Sequence, residues 1–366
     1  MTEEKLWFWD IVKTMEPRWV MSSMATGAVS ILTMIVAEKF SLVWLKYVAG
    51  IIWFLAILFF ILFAIFFTLR LIKFPQEVKK DLTHPIVANF FAGIFISAAV
   101  IVSVIWNVLA KLHFCLFPEI WSRIFYVIAL VLGLTIPVLV PFMLTISENV
   151  DPKHAIWIWF LPPVGIFVLV FAGNFMALHG IWSDFILYLN IFLLWVAFML
   201  YLLVNSMVYS RLKFFPLPAP EVAPSFVIWL APIGVSVIAI NTYYMALVKN
   251  NIFHWNLDFI HSLVQILSAM LYGYWFWWFI LTVLIISYYL FKKSLPYSLG
   301  WWAFVFPVAA FGIGLKFLAI DLSCSWICPV ALVIWIIAMI LWLVVLYKTL
   351  VWIITKKAFV RPKVVK

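Results

Sequence analysis

The sequence predicts an all-α polytopic membrane protein with ten transmembrane helices, and three observations carry this prediction. Of the 366 residues, 68% are hydrophobic and 10% are charged, whereas soluble domains carry about 25% charged residues. The apolar residues form continuous runs, each long enough for the roughly 20 residues that a helix needs to cross a bilayer. Because these runs do not alternate between apolar and polar residues, helices rather than barrel strands are predicted.

The runs set the boundaries of the predicted helices, which are numbered here as spans 1 to 10. They cover residues 17–38, 42–72, 84–109, 119–146, 156–179, 184–210, 218–248, 258–291, 299–320 and 328–354. Spans 2 and 8 are longer than a bilayer requires and are expected to tilt or to extend beyond it. The first residues, MTEEKLWFWD, are acidic and do not resemble a cleavable signal peptide. We therefore expect one transmembrane domain over 1–366, with short cytoplasmic tails at 1–16 and 355–366.

The distribution of Lys and Arg predicts that both termini lie in the cytoplasm. With ten spans the termini fall on one side, and that side carries 18 of the 24 basic residues. Cytoplasmic loops are enriched in Lys and Arg, so we predict a multi-pass protein of the plasma membrane. The net charge of +10 then reflects topology rather than a nucleic-acid partner. The predicted outer side carries Lys39, Lys46, Lys111, Arg123, Lys249 and Lys316.

All three cysteines fall on the predicted outer side. Cys324 and Cys328 lie in the short segment before span 10. A disulfide is one alternative there, and a pair of small apolar side chains at a helix start is the favoured one. The number and spacing of the cysteines do not fit a structural zinc site. We expect neither a metal ion nor a cofactor.

The odd-numbered spans share a pattern that the even-numbered spans lack. Each has a glycine or a proline among small residues, and these positions follow one another at 66, 70, 69 and 75 residues, which indicates five helical hairpins of similar length. Small residues allow helices to approach closely. A proline kinks a helix, and the freed carbonyl must meet protein or water. The pattern favours an inner ring of odd spans around a path, with ordinary close packing as the alternative. The five positions are Gly27, Gly93, Pro163, Pro232 and Pro307.

Five short motifs, one in each odd span, resemble those of the tellurite-resistance/dicarboxylate transporter family. They are MATG (Met24 to Gly27), HPIVANFF (His84 to Phe91), PPVG (Pro162 to Gly165), AP (Ala231 and Pro232) and WWAFVFP (Trp301 to Pro307). That family includes bacterial TehA, the plant slow anion channels of guard cells, and the fungal malate permeases and sulfite pumps. The resemblance extends over essentially all ten spans.

The resemblance implies an architecture and a gate. It implies five hairpins in a quasi-five-fold arrangement, with the odd spans around a central pore, and assembly into a homotrimer. A phenylalanine of span 9 plugs the pore in this family, and the motif assigns that role to Phe306. MATG is similar to the malate and sulfite branch, which favours C4-dicarboxylates such as malate as substrates. The alternatives are a chloride or nitrate channel, and a sulfite- or tellurite-related exporter.

The residues of the odd spans favour anions over cations. No Asp or Glu lies in the middle of an odd span, whereas cation channels use rings of acidic residues. A membrane enzyme or a pigment-binding scaffold would require a cluster of His, Cys or acidic residues at one depth, and the sequence does not predict one. The candidate pore-lining residues are Thr26, Gly27, Gly93, Pro163, Pro232, Ser236, Pro307, Ala310 and Gly314.

Lys316 is an ionisable residue near the predicted outer end of span 9. A charged residue in a span is costly and often functional, so attraction of anions is one hypothesis. Extension of the side chain to the interface and pairing with Asp321 are the alternatives. The expected partners of the protein are small anions and the lipid bilayer.

Overall fold

The computed structural model describes residues 8–147, 150–292 and 294–359. Within these residues, ten helices are long and apolar enough to cross a bilayer, which confirms the predicted fold class. Every boundary lies within four residues of its predicted position. Lys5, Lys293, Arg361, Lys363 and Lys366, which contribute to the predicted charge bias, lie outside the described residues. Spans 1 to 10 are Pro17–Lys39, Val43–Lys73, Val87–Leu112, Pro118–Thr145, Trp157–Leu178, Ser183–Phe214, Pro220–Asn250, Leu257–Lys292, Leu299–Asp321 and Ile327–Ile354.

The odd spans are buried and the even spans surround them. In the most apolar stretch of each odd span, 72% to 94% of the residues are buried, against 17% to 33% in the even spans. Even spans such as span 2 expose large apolar side chains, for example Ile51 and Phe54. Exposed apolar surface of this extent fits contact with lipid.

Contacts between the odd spans form a closed ring. Span 1 packs on span 3, span 3 on span 5, span 5 on span 7, span 7 on span 9, and span 9 returns to span 1. Each even span packs on the odd span before it and also touches the odd span after it, with span 10 touching span 1. The chain is thus five hairpins whose first helices enclose a centre. The quasi-five-fold symmetry of the ring and the homotrimer stay predictions.

The five odd spans also share a change of helix type near their starts. Each begins with a 3₁₀ segment that continues directly into an α-helix, and the α-helical parts start at Met21, Ala92, Leu161, Ala231 and Val305. The distances between these starts are 71, 69, 70 and 74 residues, which agree with the hairpin length in the sequence. The repeated unit is therefore visible in the backbone as well as in the composition.

The prolines of spans 5, 7 and 9 mark this change of helix type rather than a kink in the middle of a helix. Pro163, Pro232 and Pro307 are each the second or third residue of the α-helical part. The first N–H groups of an α-helix have no partner within that helix, so a proline there removes no α-helical hydrogen bond.

Glycines lie at four of the five contacts between neighbouring odd spans. A β-carbon added to Gly27 of span 1 would lie 2.5 Å from Val100 Cγ1 of span 3. At the contact of spans 3 and 5, Gly165 packs against Phe95. At the contact of spans 7 and 9, Gly234 packs against the backbone of Ala310. At the contact of spans 9 and 1, Gly312 packs against Leu32. Spans 5 and 7 are instead joined by hydrogen bonds from Asn174 Nδ2 to Ala239 O (3.1 Å) and Thr242 Oγ1 (2.9 Å).

A buried arginine fastens the hairpins at one end of the ring. We call this end the terminal face, because span 1 begins and span 10 ends there, and the opposite end the distal face. Arg70, near the end of span 2, is fully buried. Its Nε donates to Lys13 O (3.0 Å), and its Nη1 donates to Met15 O (3.2 Å) and to the carboxylate of Asp81. The arginine joins the segment before span 1 to the helix Pro75–Thr83.

We predict that Arg70→Ala destabilises the protein by about 3–5 kcal/mol, because it removes a buried guanidinium that bonds to the mostly buried carboxylate of Asp81 and to two carbonyls. Unfolding in detergent micelles, followed by tryptophan fluorescence, measures the change. Arg123→Ala is the control, since the pair of Arg123 with Glu119 is exposed and such pairs contribute at most about 1 kcal/mol. Equal stability losses in the two variants would contradict the anchoring role.

Candidate functional site

The space at the centre of the ring narrows to a constriction whose lining is entirely apolar. Each of the five odd spans contributes to the wall, and the enclosed cavity measures about 10 Å³, which is room for about one water molecule. All ten side chains are at most 5% exposed. The path is therefore closed at this level by side chains alone. The lining residues are Ala28, Ile31, Val100, Val168, Phe171, Val235, Ile238, Phe306, Ala310 and Ile313.

Two of the sequence-predicted residues, Phe306 and Ala310, lie in this wall. Phe306 is the second residue of the α-helical part of span 9 and is 3% exposed. Its neighbour Phe304 does not line the constriction and instead makes an edge contact with Trp301, at 5.6 Å between ring centroids. The geometry thus brings to the constriction the phenylalanine that the motif indicates.

The second aromatic residue of the wall, Phe171 of span 5, was not predicted from the sequence. The same is true of the aliphatic wall residues Ala28, Ile31, Val100, Val168, Val235, Ile238 and Ile313. Span 5 is apolar on every side and buried over 89% of its core, so no polar face indicates which direction points to the centre. The spacing between Val168 and Phe171 is one helical turn, and this spacing could have been recognised only with the ring already known.

Span 9 is held from outside by span 8. Tyr272 Oη donates to the carbonyl of Phe311 at 3.0 Å, and the ring of Trp275 stacks on Phe311 with centroids 3.5 Å apart. Gly234 of span 7 also packs against the backbone of Ala310. A β-carbon added to Gly234 would lie only 3.0 Å from the carbonyl carbon of Ala310. These contacts fix the helix that carries Phe306.

A vestibule at the terminal face leads towards the constriction. It measures about 240 Å³, and the first residues of all five odd spans or the segments just before them line it. Its wall positions Phe90, Ile158 and Ser225 each precede a constriction residue of the same span by ten residues, which corresponds to about 15 Å along a helix. The constriction therefore lies near the middle of the odd spans.

The charges in the vestibule are mixed. Arg18 pairs with Glu16 at 2.6 Å, and Glu221 contributes a second carboxylate to the lining. His84 accepts hydrogen bonds at Nδ1 from the backbone N–H groups of Ile86 and Val87, both at 3.2 Å. Burial, with the nearby Arg18 adding to it, lowers the pKa of His84, which favours the neutral imidazole. The histidine therefore caps the start of span 3 in its neutral form.

Two predicted polar residues have partners outside the constriction. Thr26 Oγ1 accepts a hydrogen bond from Trp342 Nε1 of span 10 at 3.0 Å. Ser236 Oγ donates to Ile233 O of its own helix at 2.9 Å, a common arrangement for a serine in a helix. Their contribution to an ion path stays a prediction.

The predicted glycines and prolines lie at helix contacts and helix starts. Gly27 and Gly93 bring spans 1 and 3 together, through Val100 and Val20 respectively. Gly314 faces Tyr272 of span 8. Pro163 borders a cleft of about 430 Å³ between spans 4, 5 and 6, and Pro232 and Pro307 begin helices, as described above. None of these residues is part of the constriction wall, and their role in the path stays a prediction.

Lys316 lies on the wall of a cleft at the distal face. The cleft measures about 510 Å³ and is bordered by spans 1, 9 and 10. Lys316 is exposed, and within the described residues no carboxylate lies close enough to form a salt bridge with it. Glu38, on the same wall, pairs with Lys111 at 2.6 Å. Cys324 and Cys328 border the cleft as free thiols.

Comparisons with known proteins identify relatives over most of the chain. A sequence model of a family described as "voltage-dependent anion channel" matches residues 14–350. Two proteins of Methanocaldococcus jannaschii, each described as an uncharacterized transporter, are similar to this chain. One is 29% identical over 306 residues, covering 82% of this chain and 83% of the relative. The other is 28% identical over 303 residues, with the same coverage of 82% and 83%.

Proposed function

Since the chain belongs to the voltage-dependent anion channel family, we propose that it passes small anions through the centre of the ring of odd spans, with Phe306 as the gate. The family resemblance that the motifs indicate is confirmed by the same match. The observation that carries the proposal is the constriction, to which all five odd spans contribute and which Phe306 helps to close. An apolar constriction of this size leaves no continuous column of water for an ion to follow until a side chain moves, which is how hydrophobic gates act.

The direction of the odd spans supports a preference for anions. All five begin at the terminal face, and their first residues or the segments just before them line the vestibule. The N-terminal end of a helix carries a partial positive charge and unpaired N–H groups. Five such ends around one vestibule favour an anion even though its charged side chains are mixed in sign.

We propose C4-dicarboxylates such as malate as the substrates. The support is the sequence MATG, from Met24 to Gly27, which is similar to the motif of the malate and sulfite branch. In the structure this motif packs span 1 against spans 3 and 10. It therefore acts on the substrate through the position of span 1 in the ring.

A second candidate is a channel for chloride or nitrate, and a related one is an exporter of sulfite or tellurite-like anions. The specific observation in its favour is the apolar lining of the constriction. This lining offers no hydrogen-bond donor to hold two carboxylates, which suits rapid passage of small inorganic anions better than binding of a dianion.

The test of the proposed function is flux through the purified protein in liposomes, with chloride, malate and sulfite presented separately. We expect the reversal potential to follow the anion gradient and the sodium flux to be negligible, because no acidic side chain lines the constriction. Saturation by malate, with little chloride current, would select the first candidate, and linear chloride current would select the second. A reversal potential that follows sodium would contradict both.

We predict that Phe306→Ala increases anion conductance about tenfold or more, since lowering the gating barrier by about 1.4 kcal/mol corresponds to one factor of ten. Conductance of the variant in planar bilayers measures the effect. Phe304→Ala is the matched control, because it removes the same side chain from the same helix outside the constriction. Equal conductance changes in the two variants would contradict the gating role of Phe306.

We further propose that Lys316 attracts anions to the distal mouth, since no carboxylate of the described residues pairs with it and it lies near the C-terminal end of span 9. We predict that Lys316→Gln lowers anion flux at low ionic strength by about two- to fivefold, the effect of about 0.3–1 kcal/mol at a helix end. High salt should remove the difference. Lys46→Gln, another change at the distal face, is the control, and an equal loss in that variant would argue against a specific role.

The assembly and location that we propose follow from the surface of the protein. The exposed apolar faces of the even spans suit both lipid and neighbouring copies, and a homotrimer is the arrangement that the family implies. The excess of basic residues at the terminal face supports a plasma-membrane protein with both termini in the cytoplasm.

A further inference from the structure

A second buried arginine occupies the position in hairpin 3 that Arg70 occupies in hairpin 1. Arg211 lies three residues before the end of span 6, as Arg70 lies three residues before the end of span 2. Arg211 Nε donates to Lys153 O at 3.2 Å, and Arg70 Nε donates to Lys13 O at 3.0 Å. Each acceptor lies four residues before the odd span of its hairpin, Lys13 before span 1 and Lys153 before span 5. The repeat has therefore placed the same side chain in the same backbone environment twice.

The two arginines differ in their counter-ions. Arg70 has the carboxylate of Asp81, whereas within the described residues no carboxylate lies within salt-bridge distance of Arg211. Asp151 is near Arg211 along the same wall, but it pairs with Lys153 at 3.3 Å. Arg211 is only 6% exposed, and its Nη1 is buried without a hydrogen-bond partner. A buried charge without a counter-ion is strongly unfavourable, so the described residues leave the site without a group that would complete it.

Arg211 borders a cavity, and its guanidinium also lies over the ring of Trp157, 6.0 Å from the ring centroid. This cavity at the terminal face measures about 550 Å³ and lies between the start of span 5 and the end of span 6. Ser206 and Ser210 contribute hydroxyl groups, while Met207 and Phe214 contribute apolar walls. Met207 is 46% exposed and Phe214 is 81% exposed, so the cavity opens to the outside of the ring, away from the central constriction.

We propose that this cavity binds an anionic phospholipid of the leaflet at the terminal face, with its phosphate at Arg211. Guanidinium and phosphate form strong charge-assisted hydrogen bonds, and the phosphate supplies the charge that Asp81 supplies to Arg70. The site lies at the end of a membrane span, which is the depth of lipid headgroups. Its apolar walls fit the start of an acyl chain, which a free phosphate ion lacks.

The experiment measures lipid retention by the full chain, purified in detergent, with native mass spectrometry. Phosphatidylglycerol and phosphatidylcholine are titrated separately onto the wild type and onto Arg211→Gln. We expect the wild type to bind phosphatidylglycerol in preference, and Arg211→Gln to weaken that binding about tenfold or more, as the loss of a charge-assisted hydrogen bond does. Lys213→Gln, a charge removal at an exposed position two residues away, should weaken it less than about threefold.

Further variants keep the test decisive if Arg211→Gln folds poorly. Ser210→Trp retains the arginine but fills the cavity, and it should weaken phosphatidylglycerol binding to a similar extent. Arg211→Lys retains the charge and should recover part of the binding. If either prediction fails in a folded variant, the assignment of the cavity is overturned.

Four outcomes would overturn the proposal as a whole. Equal retention by the wild type and Arg211→Gln would remove the arginine from lipid binding, and equal losses in Arg211→Gln and Lys213→Gln would indicate diffuse surface charge. Complete displacement of the lipid by millimolar inorganic phosphate would assign the site to a soluble anion. A large gain of binding in Glu148→Gln, at a residue outside those described, would assign the counter-ion to the chain itself.

Discussion

The structure depends on how closely the backbones of the odd spans approach one another. Four of the five contacts in the ring include a glycine with no room for a β-carbon, and the fifth has the buried hydrogen bonds of Asn174. In a bilayer, helices gain little from the hydrophobic effect when they associate, so close packing and buried hydrogen bonds hold them together. A methyl group at Gly234 would press on the backbone of span 9, which cannot move as a side chain can. The ring can therefore enclose a narrow centre because small residues lie at its contacts.

This packing determines where the path can change. Helices held at glycine contacts leave little freedom for the backbone, so the wall of the constriction changes most easily through its larger side chains, Phe171 and Phe306. Span 9 is the least buried of the odd spans, at 72% against at least 89% in the others. Its support comes from Tyr272 and Trp275 of span 8. A movement of span 8 would therefore reach the helix that carries Phe306 through the carbonyl and ring of Phe311.

Hydropathy predicted the number and bounds of the spans, because a bilayer demands long apolar helices with internally paired backbones. It could not predict which sides of the odd spans face the centre, since the central face and the packing faces are both apolar. The glycines and prolines predicted to line the path lie at helix contacts and helix starts, and their role in the path stays a prediction. Phe306 was predicted only through its motif. Span 6 was predicted to end before Arg211, because a charge usually ends a membrane helix. The helix instead continues to Phe214, and the side chain of Arg211 is buried.

The electrostatics of the path follow from the parallel direction of the odd spans. Their positive ends surround the terminal vestibule, and their negative ends must then lie at the distal face. An anion would meet an unfavourable field at the distal mouth if nothing offset it. Lysines occupy this position: Lys39 ends span 1, Lys249 is the next-to-last residue of span 7, and Lys316 lies near the end of span 9. Lys111, the next-to-last residue of span 3, is paired with Glu38 instead. The other three lysines oppose the negative helix ends, so both mouths can favour anions while the constriction between them carries no charge. Selectivity would then arise at the two mouths, and the apolar centre would control only whether the path is open.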